Sequence, residues 1–146
     1  MNRLPCIFCA IINNNGPNTI IYDDKNFLGF HDINPAAKLH WLLIPKSHID
    51  TVYNLTSEHL PLLKDMKLIA SKILTDQGFS EKDQVLGFHV PPFTSVNHLH
   101  LHMIGLPFNN FWRWAKYPYR YRVSWFITLD NLIEGLESGK NPLNKS

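Results

Sequence analysis

The chain has 146 residues, 45% of them hydrophobic and 12% aromatic, with a formal net charge of +2. That length suits one compact domain, read as residues 1–146 with a core over about 5–108 and an aromatic, basic extension over about 109–146. So small a charge does not argue for nucleic acid by itself, and no apolar stretch nears the roughly 20 residues a membrane span needs. The start of the chain lacks the apolar length and small-residue cleavage site of a secretory signal, so a cytoplasmic or nuclear place is expected rather than a secreted one.

Cys6 and Cys9 form a C-x-x-C. Without a secretory signal, reduced thiols are expected, which leaves a metal half-site, a redox pair or two apolar side chains open. Apolar residues from Cys6 to Asn13 suit a short helix, and Asn13 to Asn18 reads as a loop by composition. Thr19 to Tyr22 and Phe27 to His31 read as strands joined by the turn Asp23–Asn26. Asn34-Pro35 marks another turn, and His40 to Ile44 is a buried strand ended by Pro45.

From Thr56 to Gln77 the period changes. Leu60, Leu63, Met66, Ala70, Ile73 and Leu74 share one helical face, with Lys64, Asp65, Lys72 and Asp76 away from it. Thr56 or Ser57 can serve as N-cap, and Gly78 is a natural terminator. Strand character returns over Gln84 to Val90, Pro91-Pro92 breaks it, Val96 to Ile104 is the next strand, and Asp130 to Leu136 is a short closing helix. These elements predict an α+β fold: a mainly antiparallel sheet with one long helix and short terminal helices.

The chemistry is concentrated in His98-Leu99-His100-Leu101-His102. On a strand the three histidines share one face at about 7 Å spacing, while Leu99, Leu101 and Met103 face the core. Close imidazoles lower one another's proton affinity, so such a row has little structural reason to exist. It has a chemical one, because neutral imidazole is a nucleophile, a proton shuttle and a metal ligand near pH 7. Metal-assisted hydrolysis on three histidines is one use, although alternate residues of one strand supply two ligands more readily than three. Attack on phosphorus by a central imidazole, with a flanking one on the phosphoryl oxygens, fits three in line.

The run HLHLHMI resembles the His-φ-His-φ-His-φ-φ signature of the histidine-triad superfamily. The resemblance extends from CIFCAII through Phe30-His31-Asp32-Ile33-Asn34-Pro35 and HWLLIPKSHI to the triad, and is strongest to the Hint branch, of Hint-3 type. Gly87 to Phe93, Tyr121-Arg122-Val123 and Trp125-Phe126-Ile127 carry that finer likeness. It implies a hydrolase releasing AMP from adenosine 5′-phosphoramidates or acyl-adenylates. His100 would attack the α-phosphorus, His102 would hold a phosphate oxygen and help protonate the leaving group, and His40 would orient the nucleophile. Asp32 would bind the ribose; Ile33, Phe30, Phe8, Ile7 and Ile11 would enclose the adenine; Ser95 and the Leu101 backbone would contact the phosphate. Cys6, Cys9, His48 and His98 would hold a structural zinc ion, with no metal required for chemistry. A homodimer is also implied.

The approach to the triad departs from the better-known Hint pattern. Where Asn-Glu-Gly and Gly-Gly-Gln-Ser stretches are expected, this chain has Gly87-Phe88-His89-Val90-Pro91-Pro92-Phe93-Thr94-Ser95. A flexible glycine loop has become a stiff proline loop, and His89 adds a fourth imidazole to the pocket. That pattern and Lys38 resemble the aprataxin branch, which removes AMP from 5′-adenylated DNA. The stretch Phe111 to Arg122 interleaves aromatics with cations, as single-strand binders do. Packing at a dimer interface or over the leaving group is the favoured reading of that tail. A 5′-adenylated DNA or RNA substrate is the alternative, and a catalytically weak nucleotide-binding adaptor a third.

Overall fold

The computed structural model of the protein describes residues 6–14 and 19–144. Among the described residues, six strands form one antiparallel sheet: β1 (Ile20–Asp23), β2 (Phe27–His31), β3 (Ala37–Pro45), β4 (Gln84–His89), β5 (Leu101–Phe108) and β6 (Phe126–Thr128), in spatial order β1-β2-β3-β5-β4-β6. With α1 (Ile7–Asn14), α2 (Leu60–Asp76), α3 (Phe111–Lys116) and α4 (Leu129–Glu137) they make the expected α+β architecture. Asn13 and Asn14 belong to α1, and the Asn15–Asn18 part of the expected loop lies outside the described residues.

The alternation of side chains along β3 and β5 divides the core into two faces. Leu43, Leu101 and Met103 point to the face covered by α2 and α4, where Leu63, Met66, Ala70 and Leu74 of α2 are completely buried. Each of the leucine and methionine side chains is worth about 1.5–3 kcal/mol in removal from water. Leu60 and Ile73, expected on the same helical face, are half-buried at its rim. Thr56 caps a tight turn (Ser57–His59) that leads into α2, and Gly78 ends the helix with φ of +96°, a conformation that costs glycine least.

The opposite face carries His40, Leu42 and Ile44 of β3. It is covered at one end by α1, through Phe8 and Ile11, and at the other by Tyr117, Phe126 and Phe108. The histidines lie between these two apolar clusters.

Two elements differ from the sequence expectation. The strand expected over Val96 to Ile104 begins at Leu101, because the Leu99 amide bonds the Ile49 carbonyl at 2.6 Å rather than the sheet ladder. The stretch expected as an extension supplies β6 and α4: Leu129 and Leu132 are completely buried, and Asn141 donates to the carbonyls of Val52 and Leu55. The expected closing helix is α4 with one residue more at each end. No helix among the described residues is long and apolar enough to cross a membrane.

Candidate active site

His40 on β3 and His102 on β5 reach each other diagonally across neighbouring strands, since Leu42 is the residue paired with His102. Burial holds both imidazoles neutral: His40 is pushed down to about 3 and His102 well below the ordinary range, with neighbouring histidines adding to the effect. Neutral rings have one donor and one acceptor nitrogen, so the partners fix the tautomers. The Ala36 amide donates to His40 Nδ1 at 2.9 Å, which leaves the proton on His40 Nε2. That proton is donated to His102 Nδ1 at 2.8 Å, so His102 carries its own on Nε2. His102 Nε2 is buried and has no hydrogen-bond partner among the described residues. An unpaired buried donor is costly, and the described residues supply no acceptor for this one.

His100 has the reverse tautomer. Its Nδ1–H donates to the His98 carbonyl at 2.7 Å, leaving the Nε2 lone pair free. Burial lowers its proton affinity too. Its ring lies 5.2 Å from that of His102 and 5.1 Å, edge to face, from Phe8. A free lone pair thus stands beside a free donor.

This arrangement corrects the part expected of His40, which touches His102 rather than His100; the His98 carbonyl orients His100. Asp32, on the β2–β3 loop, has Oδ1 accepting from the Asn34 amide and Oδ2 3.3 Å from His40 Nε2. Burial raises its pKa, against the hydrogen bond from Asn34. Phe30, expected beside the adenine, is 1% exposed and packs against Phe8 at 5.3 Å. Ile33 and Ile7 stand in solvent, at 89% and 63% exposed. Ser95 is exposed on the loop before His98.

His89, from β4, lies beside His102. Its Nε2–H donates to the Lys116 carbonyl at the end of α3, and its ring meets His102 at 4.8 Å. Tyr117 was not singled out by sequence reasoning. It packs on His40, His89 and His102 with ring centroids 5.3, 4.7 and 5.1 Å away. Its signal was the Asn110 N-cap, which accepts from the Arg113 amide and starts α3 about two turns before it.

A second cluster lies at the α1 end. His48 Nδ1 is 3.3 Å from Cys9 Sγ, and His98 Nδ1 is 3.5 Å from both Cys6 Sγ and Cys9 Sγ. His48 Nε2–H donates to Asp50 and His98 Nε2–H to the Pro45 carbonyl, so both Nδ1 lone pairs face the thiols. Two thiols and two oriented imidazoles at tetrahedral-edge spacing fit a zinc ion, outer hydrogen bonds included. These four residues can hold a metal. His98 is thereby separated from the other two triad members: it faces α1, and they face the pocket.

An antiparallel sheet bearing this histidine row is the build of a phosphate-handling histidine protein. The family model described as scavenger mRNA decapping enzyme C-term binding matches residues 5–117. Adenosine 5′-monophosphoramidase HINT3 of Xenopus tropicalis is 36% identical over 137 residues, covering 92% of this chain and 89% of the relative. The Arabidopsis thaliana bifunctional adenosine 5′-phosphosulfate phosphorylase/adenylylsulfatase HINT4 is 37% identical over 134 residues, covering 88% of this chain and 89% of the relative. The crystal structure of a HIT family hydrolase from Legionella pneumophila Philadelphia 1 superposes with a TM-score of 0.67 at 37% identity, over 70% of this chain and 94% of that one. The chain belongs to the histidine-triad superfamily, on its Hint branch.

Proposed function

We propose that the protein is a nucleotidyl hydrolase that releases AMP from adenosine 5′-phosphoramidates or acyl-adenylates through a covalent adenylyl-histidine. The observation that carries this reading is the pair of opposed tautomers: a lone pair on His100 Nε2 next to an unpaired N–H on His102 Nε2. The adenylated substrate class is supported by the names of the Xenopus and Arabidopsis relatives.

His100 Nε2 attacks the α-phosphorus while His102 Nε2–H holds a phosphoryl oxygen, so charge developing in the transition state meets a donor already in place. An anionic phosphate beside the buried His102–His40 pair raises its proton affinity, and the proton it then takes up is passed to a departing amine. Water cleaves the adenylyl-histidine in a second step. Phe8 borders the adenine, and Asp32 turns from His40 to the ribose hydroxyls. Ser95 and the Leu101 backbone contact the phosphate.

A zinc ion held by Cys6, Cys9, His48 and His98 would pin α1 to the sheet and take no part in the chemistry. A homodimer completes the proposal, with exposed Phe111 and Trp112 available to the interface; sedimentation measures it directly. The His100→Ala variant should lose nearly all turnover, at least 1,000-fold given the size of nucleophile effects (about 10³–10⁶), while still binding AMP. Undiminished turnover sinks the mechanism. AMP affinity without turnover by the wild type on any adenylated substrate favours the adaptor reading. Steeply salt-dependent binding to adenylated nicked DNA favours the deadenylase.

A further inference from the structure

The aromatic stretch after β5 builds a second cleft. Phe108 ends β5, and Phe111 and Trp114 stand three residues apart on α3, so their rings share one side of the helix. Those two rings stack at 5.6 Å. The chain then turns back, and Tyr119 meets Phe108 at 6.4 Å. All four rings line one cleft of about 580 Å³, a volume within the range of small-ligand sites. Among the described residues no histidine lines it. Phe108 also stacks on Tyr117 at 6.1 Å, so one buried ring stands between the cleft and the pocket histidines. Asp83 lines the same cleft. Because Gln84 pairs with Gly105, the antiparallel register puts Asp83 beside Leu106 at the edge of the β4–β5 ladder. Asp83 is half-buried, accepts a 3.4 Å hydrogen bond from Ser80 Oγ and forms no ion pair among the described residues.

Four ring faces and a carboxylate without a cation select a guest by charge. Aromatic faces carry the negative side of their quadrupole, so they attract cations and repel anions. One ring already takes a cation: the Arg120 guanidinium carbon lies 5.5 Å from the Tyr119 centroid. A neutral apolar guest would take water from the carboxylate and return nothing to it. A bare ammonium is a compact, strongly hydrated charge. An alkylated ammonium spreads its charge over an apolar skin and leaves water more easily. We propose that this cleft binds an alkylated ammonium group, with the rings of Phe108, Phe111, Trp114 and Tyr119 against its methyl groups and Asp83 beside its charge. A free choline-type amine and a methylated lysine side chain of another protein present the same chemistry. The site is separate from the nucleotide chemistry proposed above and does not depend on it.

The test is calorimetric titration of the full chain with choline and with dimethylbutanol, the neutral isostere in which carbon replaces the nitrogen. A trimethyllysine peptide and its unmethylated form make a second pair of probes. Choline should bind about tenfold more tightly than its isostere, the size of a cation–π contact. Trp114→Ala should abolish that margin and Trp114→Phe should keep part of it. Asp83→Asn, which preserves shape and removes charge, should narrow the margin about threefold, the size of an exposed ion pair; it decides the matter if Trp114→Ala does not fold. Equal binding of choline and isostere overturns the proposal, as does equal binding of the two peptides or no binding of any probe. Choline displaced by saturating AMP overturns it too, since the cation would then lie in the histidine pocket. With the margin present, tighter binding of the methylated peptide than of choline assigns a protein side chain as the source, and the reverse order a free amine.

Discussion

At the scale of single residues, one backbone amide sets the chemistry of two side chains. The Ala36 N–H fixes the His40 tautomer, and His40 fixes that of His102. The arrangement is sensitive to pH in a definite direction. Because His40 is held near 3 in the folded chain against an ordinary value of 6.5, the unfolded chain binds the proton first as pH falls. Stability is therefore full above about 6.5 and is lost as pH drops towards the folded value, at up to about 1.4 kcal/mol per pH unit for this one group. Urea unfolding between pH 7 and 4 should show that slope, and His40→Asn should flatten it by up to the same amount; an unaltered slope would contradict the buried neutral pair. The triad itself was legible in the sequence because a period of two is a local property. The partner of His40 was not, since whether it meets His100 or His102 depends on the register between β3 and β5.

At the scale of elements, α1 is a short helix whose attachment comes through Phe8, Ile11 and the two cysteines. Zinc removal should therefore act on stability first. With metal about 100-fold above its Kd, binding contributes about 2.7 kcal/mol, or roughly 8 °C in Tm at about 3 °C per kcal/mol for a chain of this size. Melting with and without chelator, alongside metal analysis, measures both; a purified protein without stoichiometric metal refutes the assignment. The donor set was foreseen through the family resemblance, since the C-x-x-C alone left three alternatives open. The end of α2 at Gly78 was legible from its own residues. The late start of β5 was not, because it follows from the Leu99 amide bonding Ile49, a third of the chain away. The placing of α3 was hidden for the same reason: Asn110 announces a helix, but nothing local says that Tyr117 lands on the histidines.

For the whole molecule, the histidine face is tied to β6 through Gly87. It pairs with His102 on one side and Thr128 on the other, and the Phe126 ring crosses it so closely that an added methyl would overlap the ring. Phe126 in turn packs on His89 and Tyr117. Gly87→Ala should cost about 1–3 kcal/mol, as overpacking does, and should lower turnover more than AMP affinity by shifting His89. Equilibrium unfolding and steady-state kinetics on the one variant give both numbers; wild-type values for both would show that β6 yields without disturbing the site.

That same edge gives the order of synthesis a structural meaning. Among the described residues β6 is the last strand in chain order, and it covers β4, the strand that carries His89. Until residues 126–128 have left the ribosome, the nascent chain holds its complete histidine row beside an open sheet edge. Unpaired edges recruit other chains, so a protein cut short after β5 would aggregate through the strand that should have walled its own pocket.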